Sequence, residues 1–516
     1  MEIDGDVAII GSGFGGALTA LILQKLDLRP VLIDRASHPR FIIGESSTPI
    51  ADLVWQDLCR RYDLPRLEPL CEYGSWQRSY PQLPCGLKRG FSYYRHQSGA
   101  EFAPRIDHAN ELMVAASNQD VDADTHWYRP DFDAFLVREA IAAHIPVLDL
   151  TEITEIVDGE EWRLSGHRAG ETVRIRSRFI VDASGEGGFL ARHLRLRNEV
   201  ASMRTSSRSV FGHFRGVGLW EDELRRGKGR IGDYPFRCDD AALHHIVDGG
   251  WMYVLRFNNG VTSAGVLLDT ERHPLDLGVS PEDEWHSLLG RYPSIARQFA
   301  DAELTPLCGP MRRTGRLQRR WSRFVGPNWA MLPFSGYGLD ALHSTGNAHT
   351  LRGIERLCDI LAGRFGRDEL YADLQKYERT LRGEIDLLDQ VVHGCYSAFA
   401  DFRLFASFSM CYFAGAIFSE DQRRKGKTGA HDAILMADQP AYRQVVDECY
   451  HELRRLLSLG RISDGQAEEY RQFVERRIAP YNLAGLCDPA RRNLYPYLET
   501  AQADVLSEPR PSGSGT

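Results

Sequence analysis

The stretch Asp6–Arg35, DVAIIGSGFGGALTALILQKLDLRPVLIDR, decides the fold class of this chain of 516 residues. Its apolar run Val7–Ile10 predicts a short strand, the glycines after it predict a tight turn, and the next residues predict a helix. A second apolar run, Pro30–Ile33, predicts another strand, and Asp34 follows it. This order of strand, GxGxxG turn, helix, strand and acid is typical of a dinucleotide-binding unit.

The residues of this unit have separate tasks. Gly11 permits the tight turn, Gly13 lets the backbone approach a pyrophosphate, and Gly16 lets the helix lie close to the strand. The N-terminus of the helix stabilises phosphate charge. Asp34 lies where an acid binds ribose hydroxyls, which argues against a 2′-phosphate on the cofactor. The predicted cofactor contacts in this unit are Gly11, Gly13, Phe14, Gly16, Asp34 and Arg35.

Two later segments repeat the passage from a strand into a glycine-rich turn. The strand Phe179–Val181 ends at Asp182, and the strand Trp329–Leu332 leads through a glycine-rich loop to a helix that starts near Thr345. A chain that returns three times to one sheet edge resembles the large FAD-binding fold of the aromatic hydroxylases and their relatives. The resemblance implies that Asp182, Gly338 and Asp340 bind the cofactor FAD.

The segment YRPDFDAFLVREAI points to the same enzymes. It resembles their R-x-x-F-D-x-x-L segment, which implies that Arg129 lies near the flavin. An ordinary amphipathic helix that starts at Pro130 is the alternative. The expected fold class is α/β, with a GxGxxG FAD-binding Rossmann-like domain, an interleaved β-sheet substrate domain and a C-terminal helical region.

Two segments that follow the second strand narrow the choice of enzyme family. RFIIGESSTPIADLVW resembles the GE(S/A)-x-x-P segment that flavin-dependent halogenases carry after the ribose-binding acid, and implies that Glu45 and Ser46 contact the cofactor. CGLKRGFSYYRHQ resembles the pattern C-G-x-K-x-G-F-x-x-x-x-H-Q of the phenol-type branch, with Lys88 at its centre.

This resemblance implies a catalytic role for Lys88. In the family, reduced flavin and O2 give a C4a-hydroperoxide, halide attacks it, and hypohalous acid travels through a tunnel to the lysine. The lysine forms a haloamine or holds the acid by a hydrogen bond, since it offers an N–H donor and a nitrogen whose pKa falls on burial. The aromatic flank, including Phe91, excludes water. A surface lysine at a hairpin bend is the alternative.

A third match concerns the halide ion. LDALHSTGNAHTL resembles the D-P-L-x-S-x-G segment whose backbone N–H groups bind halide, with Ala341 in place of proline. It implies a halide site at Ser344, Thr345 and Gly346, next to His343 on the substrate side. The alternative is the start of a flavin-binding helix without a halide site.

A fourth segment departs from the family pattern. The halogenase hallmark W-x-W-x-I-P is thought to separate substrate from flavin and suppress hydroxylation, and here it reads Trp251, Tyr253, Leu255 and Arg256. Arg256 adds a charge on the expected flavin side and is suited to bind a substrate carboxylate. A flavin monooxygenase on the same scaffold is therefore the second interpretation. A flavin-binding protein with degenerate chemistry and a geranylgeranyl-reductase type of flavoprotein are further alternatives.

The rest of the chain predicts the domain organisation. We expect a FAD-binding domain at 1–200 with an inserted lysine segment at about 70–120, a substrate-side β-sheet domain at 200–320, and a return to the FAD domain at 321–360. Helices follow at 361–505, and a disordered tail at 506–516. Tyr396, Phe399, Phe402 and Phe405 recur every three residues, so we expect them on one helix face.

Composition excludes several other classes. Net charge is −9 and no long basic block occurs, which argues against nucleic-acid binding. Ten scattered cysteines without a CxxC pair indicate neither a metal site nor a disulfide framework. With no secretion signal and an apolar run at 405–418 too short to span a bilayer, we expect a cytoplasmic protein without a membrane. No second GxGxxG unit occurs, so FADH2 is expected from a separate flavin reductase. The substrate is expected to be a small aromatic, and the protein a monomer or homodimer.

Overall fold

The computed structural model describes residues 1–427 and 433–498, and the tail predicted at 506–516 lies outside the described residues. The strands in chain order are β1 (Glu2–Ile10), β2 (Pro30–Ile33), β3 (Cys85–Lys88), β4 (Gly90–Arg95), β5 (Glu111–Ala115), β6 (Asp124–Trp127), β7 (Val147–Leu148), β8 (Thr151–Val157), β9 (Trp162–Arg168), β10 (Glu171–Asp182), β11 (Ser207–Arg215), β12 (Ala242–Val247), β13 (Gly250–Arg256), β14 (Thr262–Asp269), β15 (Glu303–Leu304), β16 (Arg312–Arg313), β17 (Arg319–Arg320), β18 (Val325–Gly326), β19 (Trp329–Met331), β20 (Tyr337–Gly338) and β21 (Leu494–Tyr495).

The helices occupy the segments between these strands and most of the chain after β20. In chain order they are α1 (Phe14–Lys25), α2 (Pro49–Arg61), α3 (Tyr73–Ser79), α4 (Arg129–Ala142), α5 (Phe189–His193), α6 (Trp220–Arg226), α7 (Pro281–Gly290), α8 (Pro293–Gln298), α9 (Pro333–Gly336), α10 (Gly346–Arg364), α11 (Leu370–Ala398), α12 (Phe402–Arg424), α13 (Pro440–Leu457) and α14 (Asp464–Ile478).

The first sheet has the strand order β18-β19-β10-β1-β2-β7, and β8 and β9 extend it from β10. Strands β10, β1 and β2 are parallel, with Ile10 opposite both Asp182 and Ile33. Parallel strands end at one sheet edge, and in such folds ligands bind in the crevice outside that edge. The predicted Gly11 turn, Asp34 and Asp182 therefore lie at the same edge.

The second sheet has the strand order β15-β11-β14-β13-β12-β4-β5-β21, and β16 also pairs with β11. The segment expected as an insertion at about 70–120 contributes β4 and β5 to this sheet, where β4 lies parallel to β12. Strands β3 and β6 pair separately, antiparallel to each other. The lysine segment thus contributes β4 and β5 to the second sheet, whereas Lys88 lies on β3, which pairs with β6 beside that sheet.

The C-terminal helices pack against each other and against α2 and α10. Helix α12 is long and apolar enough to cross a membrane by length and composition, but 72% of its apolar window is buried inside the protein. With 23 residues, the helix is longer than the apolar run at 405–418 that was identified in the sequence. Its burial is that of a core helix.

The aromatic face predicted at three-residue spacing is wrong in its geometry. Helix α11 ends at Ala398 and α12 begins at Phe402 behind Asp401, whose carboxylate caps the new helix by accepting from the Arg403 amide. The aromatic rings still meet, because Phe399 and Phe405 lie 5.5 Å apart across the break. The four residues form a cluster at a helix–helix corner and not a stripe on one helix.

Candidate active site

The first glycine turn forms a tight cradle at the sheet edge. Gly11 has φ of +108°, and a Cβ there would lie 2.4 Å from the carbonyl oxygen of Ala183. A Cβ at Gly16 would lie 1.9 Å from the carbonyl oxygen of Gly11. Gly13 has open space in comparison, with its nearest neighbours 3.5 Å away. Packing within the protein thus requires glycine at positions 11 and 16, whereas Gly13 leaves room for a phosphate at the start of α1.

Asp34 is buried at the end of β2 and is surrounded by donors. The Ser12 amide donates to it at 2.7 Å, and the two terminal nitrogens of Arg40 donate to its two oxygens at 2.7 Å each. Burial alone would raise the pKa of Asp34, but Arg40 and the backbone amides outweigh it and lower the pKa to about 2. The neighbour Arg35 is exposed. The arginine that contacts Asp34 is therefore Arg40, which the sequence reasoning missed.

Arg129 lies between the glycine turn and the GES segment. Its guanidinium donates to both carboxylate oxygens of Asp133 at 2.8 Å and to the Gly44 carbonyl at 3.0 Å. The same group lies 4.8 Å from the centre of the Phe14 ring. Three predicted contacts, Phe14, Arg129 and the GES segment, thus come together.

Near Gly44 lie several buried polar groups, and three of their atoms have no protein partner among the described residues. Glu45 Oε1 lies 2.7 Å from His213 Nε2, while His213 Nδ1, Ser46 Oγ and Tyr253 Oη make no hydrogen bond within the described residues. Leaving such atoms unpaired costs about 1–3 kcal/mol each, so they are normally satisfied by a ligand or water. Together with the glycine cradle, this donor set fits FAD.

Asp340 and Asp182 are acids that the protein itself satisfies. Asp340 accepts from Ser207 Oγ at 2.6 Å, Tyr396 Oη at 2.8 Å and Trp251 Nε1 at 3.1 Å. Asp182 accepts from the Leu190 amide at 2.7 Å and from the hydroxyl of its own turn. The protein itself thus satisfies both carboxylates, and their contact with FAD stays a prediction.

Gly338 also has a structural reason. A Cβ there would lie 2.6 Å from the Leu317 carbonyl oxygen and from the Arg319 guanidinium, so close pairing of β20 with β17 requires glycine. This close contact within the protein explains why residue 338 is glycine, with no need for a contact to the flavin.

The predicted halide loop has an unusual backbone. His343 and Ser344 have φ of +69° and +57°, a region that residues other than glycine adopt rarely. The Tyr412 hydroxyl donates to the His343 carbonyl at 2.9 Å, and the two rings stack at 4.4 Å. The Ser344 amide donates to the Ala341 carbonyl at 2.9 Å. The amides that follow, from Thr345 and Gly346, begin α10, where helix N–H groups lack intrahelical acceptors.

His343 is enclosed. Its Nδ1 lies 2.9 Å from the Tyr93 hydroxyl and its Nε2 lies 3.5 Å from Cys395 Sγ, and burial lowers its pKa well below the usual value. Both ring nitrogens of His343 thus have protein partners, and its place on the substrate side stays a prediction.

Lys88 ends β3 and is completely buried, which excludes the surface-lysine alternative. Its Nζ donates to the Ser47 carbonyl and lies 4.2 Å from the centre of the Phe91 ring. Burial lowers its pKa to about 8, opposed by Asp124, Asp52 and Glu420. An amine with this pKa is present in both charge states near neutral pH.

The acids around Lys88 were not found from the sequence. Asp124 lies opposite Lys88 in the β3–β6 pairing, and burial raises its pKa to about 6. Asp52, on α2, accepts from Ser47 Oγ at 2.5 Å, and burial together with Asp124 raises its pKa well above the usual value. Two carboxyl groups beside one ammonium retain a proton between them more readily than separated acids.

A cavity of about 60 Å³ adjoins this cluster. Its walls come from α12, β4, β5 and the segment that follows β21, and include Phe91, Val114, Tyr412, Phe413, Ala416, Ile417, Glu420 and Tyr495. Phe91 has Lys88 on its ring and also lines the cavity. The walls are mostly aromatic and aliphatic, as in sites for small aromatic molecules.

Arg256 lies on the wrong side of its strand for the role predicted from the hallmark. Trp251, Tyr253 and Leu255 face the core that contains Phe91, while Met252 and Val254 face a second core. Side chains alternate along a strand, so Arg256 points with the second set. Its guanidinium donates to Asp239 at 2.9 Å and to the carbonyls of residues 217 and 218. The expectation of a tunnel or substrate-carboxylate arginine is corrected.

The fold and the glycine cradle define a flavoprotein whose cofactor is FAD. No family model matches the chain. It is similar to the monodechloroaminopyrrolnitrin halogenase PrnC of Pseudomonas fluorescens, with 30% identity over 92% of this chain and 85% of the relative. The tetracycline 7-halogenase of Kitasatospora aureofaciens is 28% identical over 92% of this chain and 86% of its own.

Solved structures agree with these relatives. The halogenase PltM in complex with phloroglucinol and FAD superimposes with a TM-score of 0.83 and 25% identity, over 95% of this chain and 99% of PltM. The chain therefore belongs to the flavin-dependent halogenases.

Proposed function

We propose that the protein installs chloride or bromide on an electron-rich aromatic, a phenol in particular, and that Lys88 delivers the halogen. The observation that carries this proposal is a completely buried lysine whose Nζ covers one face of Phe91, a wall of the aromatic cavity. PltM, which is similar over nearly the whole chain, binds phloroglucinol, a phenol.

Bound and reduced FAD supplies the oxidising power, from O2, that converts halide into hypohalous acid. The chain's own residues then act on that acid. The Thr345 and Gly346 amides at the start of α10 are suited to hold halide near the flavin. Lys88 holds the hypohalous acid by an N–H donor or is halogenated on its neutral nitrogen, in a pocket from which Phe91 excludes water.

The monooxygenase alternative rested on Arg256, and the pairing of that arginine with Asp239 supports halogenation over this alternative. Tyr253 and Leu255 keep bulk at the hallmark positions and face the core that contains Phe91. We propose further that reduced flavin comes from a separate reductase, that the enzyme works in the cytoplasm, and that it is a monomer or homodimer.

The test is aerobic turnover with FAD, NADH, a flavin reductase, bromide or chloride, and a panel of phenols, indoles and pyrroles. We expect halogen isotope doublets in the mass spectra of products from phenols, and none from the Lys88→Ala variant. Lys376→Ala, at an exposed lysine on α11, is the matched control and should act as the wild type. A product that gains a single oxygen and no halogen would overturn the proposal.

A further inference from the structure

The cavity beside Lys88 contains an acid that has no hydrogen-bond partner among the described residues. Glu420 lies near the end of α12, half-buried, and lines the cavity with Phe91 and Tyr412. No hydrogen bond joins its carboxylate to another group in residues 1–427 and 433–498. Its neighbour Asp421 differs, since it accepts from Lys425 at 2.8 Å.

A second polar group in the same cavity has no partner. Thr48 lines the cavity and is 3% exposed, and its Oγ1 makes no hydrogen bond within the described residues. A buried hydroxyl and a carboxylate that face mostly apolar walls are the arrangement by which a pocket orients an aromatic ligand with a polar edge. A carboxylate accepts hydrogen bonds only, so it selects a ligand with an O–H or N–H donor.

We propose that Glu420 binds the hydroxyl of the phenolic substrate and takes its proton during halogenation. This inference rests on the proposed function. Phenolate is a much stronger carbon nucleophile than phenol, so a base at the hydroxyl activates the ring while Lys88 presents the halogen. Phe91, which lines the cavity with Glu420, also has the Lys88 Nζ 4.2 Å from its ring centre.

The step balances without a further reagent. The phenolic O–H bond breaks and its proton passes to the Glu420 carboxylate. The ring carbon forms a bond to the halogen of hypohalous acid while the halogen–oxygen bond breaks, so the ring is oxidised and the halogen reduced. The departing hydroxide takes the proton from the halogenated carbon and becomes water. The proton on Glu420 then returns to the phenolate oxygen of the product.

The charges around Glu420 suit a base. Burial, together with Asp124, raises its pKa to about 8, against the influence of Arg424 and Lys88. The titratable groups that act on it or line the same cavity are Asp124, Lys88, Arg424, Tyr412, Asp421, Tyr495 and Tyr497. The ionised form of Glu420, which prevails above about pH 8, accepts a phenolic proton more readily than an exposed glutamate does.

The experiment compares the wild type with Glu420→Gln on phenols of graded acidity, from those un-ionised at the assay pH to those already ionised. We expect kcat/KM of the variant to fall about 100-fold for un-ionised phenols and to change little for ionised ones, as for loss of a general base. In the variant, the pH at which the rate rises should follow the pKa of each phenol. Glu469→Gln, at an exposed position on α14, is the matched control.

Two further measurements keep the outcomes separate. Flavin retention and O2 consumption by Glu420→Gln should equal those of the wild type, and Glu420→Asp should regain part of the activity on un-ionised phenols. A loss that is uniform across the phenols, or no loss, would overturn the role of Glu420. A wild type that halogenates none of the phenols would instead overturn the proposed function.

Discussion

Lys88 on β3 lies directly opposite Asp124 on β6, and both side chains are buried. Burial lowers the pKa of Lys88 to about 8 and raises that of Asp124 to about 6, and each group opposes the shift of the other. The pair therefore sets how much of the amine is neutral at the pH at which the enzyme works.

Lys88→Ala should abolish halogenation while O2-dependent oxidation of reduced flavin continues, because the lysine acts after the oxidant forms. Halogenated product and O2 consumption are measured in the same reaction. A variant that still forms halogenated product would show that hypohalous acid reacts without the lysine.

Asp124→Asn should shift the pH dependence of halogenation. The Asp124 carboxylate favours the charged amine, so its removal lowers the pKa of Lys88 further below about 8. If the neutral amine is the reactive form, the rising limb of the rate moves to lower pH. The measurement is the pH–rate profile with saturating reduced flavin, and an unchanged limb would assign that limb to another group.

Folding stability should also report the buried amine. The pKa of Lys88 is about 8 in the folded protein and 10.5 for an ordinary lysine, so between these values the unfolded chain binds more protons. Stability from this group therefore rises as pH increases from about 8 to about 10.5. Chemical denaturation of wild type and Lys88→Met at both ends of the window isolates the effect, because other groups titrate in both proteins. As pH rises through this window, the free energy of unfolding of the wild type should increase relative to that of the variant.

Gly13→Val should prevent FAD binding and leave the fold intact, because a Cβ at Gly13 meets no protein atom closer than 3.5 Å and points where the pyrophosphate is expected. Gly16→Ala should instead destabilise the protein, since its Cβ would lie 1.9 Å from a backbone oxygen. Flavin absorbance after gel filtration and thermal unfolding distinguish the two. Flavin retained by Gly13→Val would mean that the turn does not hold the cofactor.

Arg256→Met should lower stability without changing the reaction. Loss of the guanidinium leaves Asp239, which is 3% exposed, with its hydrogen bonds from the Trp220 and Glu221 amides and the Cys238 thiol, and should cost about 1–3 kcal/mol. Thermal unfolding measures the loss, and product mass spectra test the chemistry. A product of the variant that gains an oxygen atom would contradict the conclusion that Arg256 lies away from the reaction.

The sequence predicted those parts of the site that lie within one local segment. The GxGxxG turn depends on glycines whose tasks follow from backbone geometry, and β2 begins and ends as expected. Arg256 was misplaced because the hallmark was compared residue by residue, whereas strand alternation separates it from Tyr253. The two-residue period of side-chain direction along a strand would have shown that Arg256 and Tyr253 face opposite sides of the sheet.

Other parts could not be predicted. Asp52, Asp124 and Glu420 come from α2, β6 and α12 and meet only through tertiary packing. Arg40 reaches Asp34 across a loop of irregular backbone, for which the sequence has no periodic signal. The corner between α11 and α12 depends on one capping aspartate within an otherwise helical pattern.

The wall of the cavity formed by Tyr495 and its neighbours has a consequence for how the protein is made. Strand β21 pairs with β5, with Leu494 opposite Met113, so the two partners leave the ribosome far apart in time. Such distant pairing is slow to form. The flavin cradle can assemble from the first part of the chain well before this wall exists. A protein cleaved before Leu494 would thus lack this wall of the cavity while it retains β1, β2 and β10.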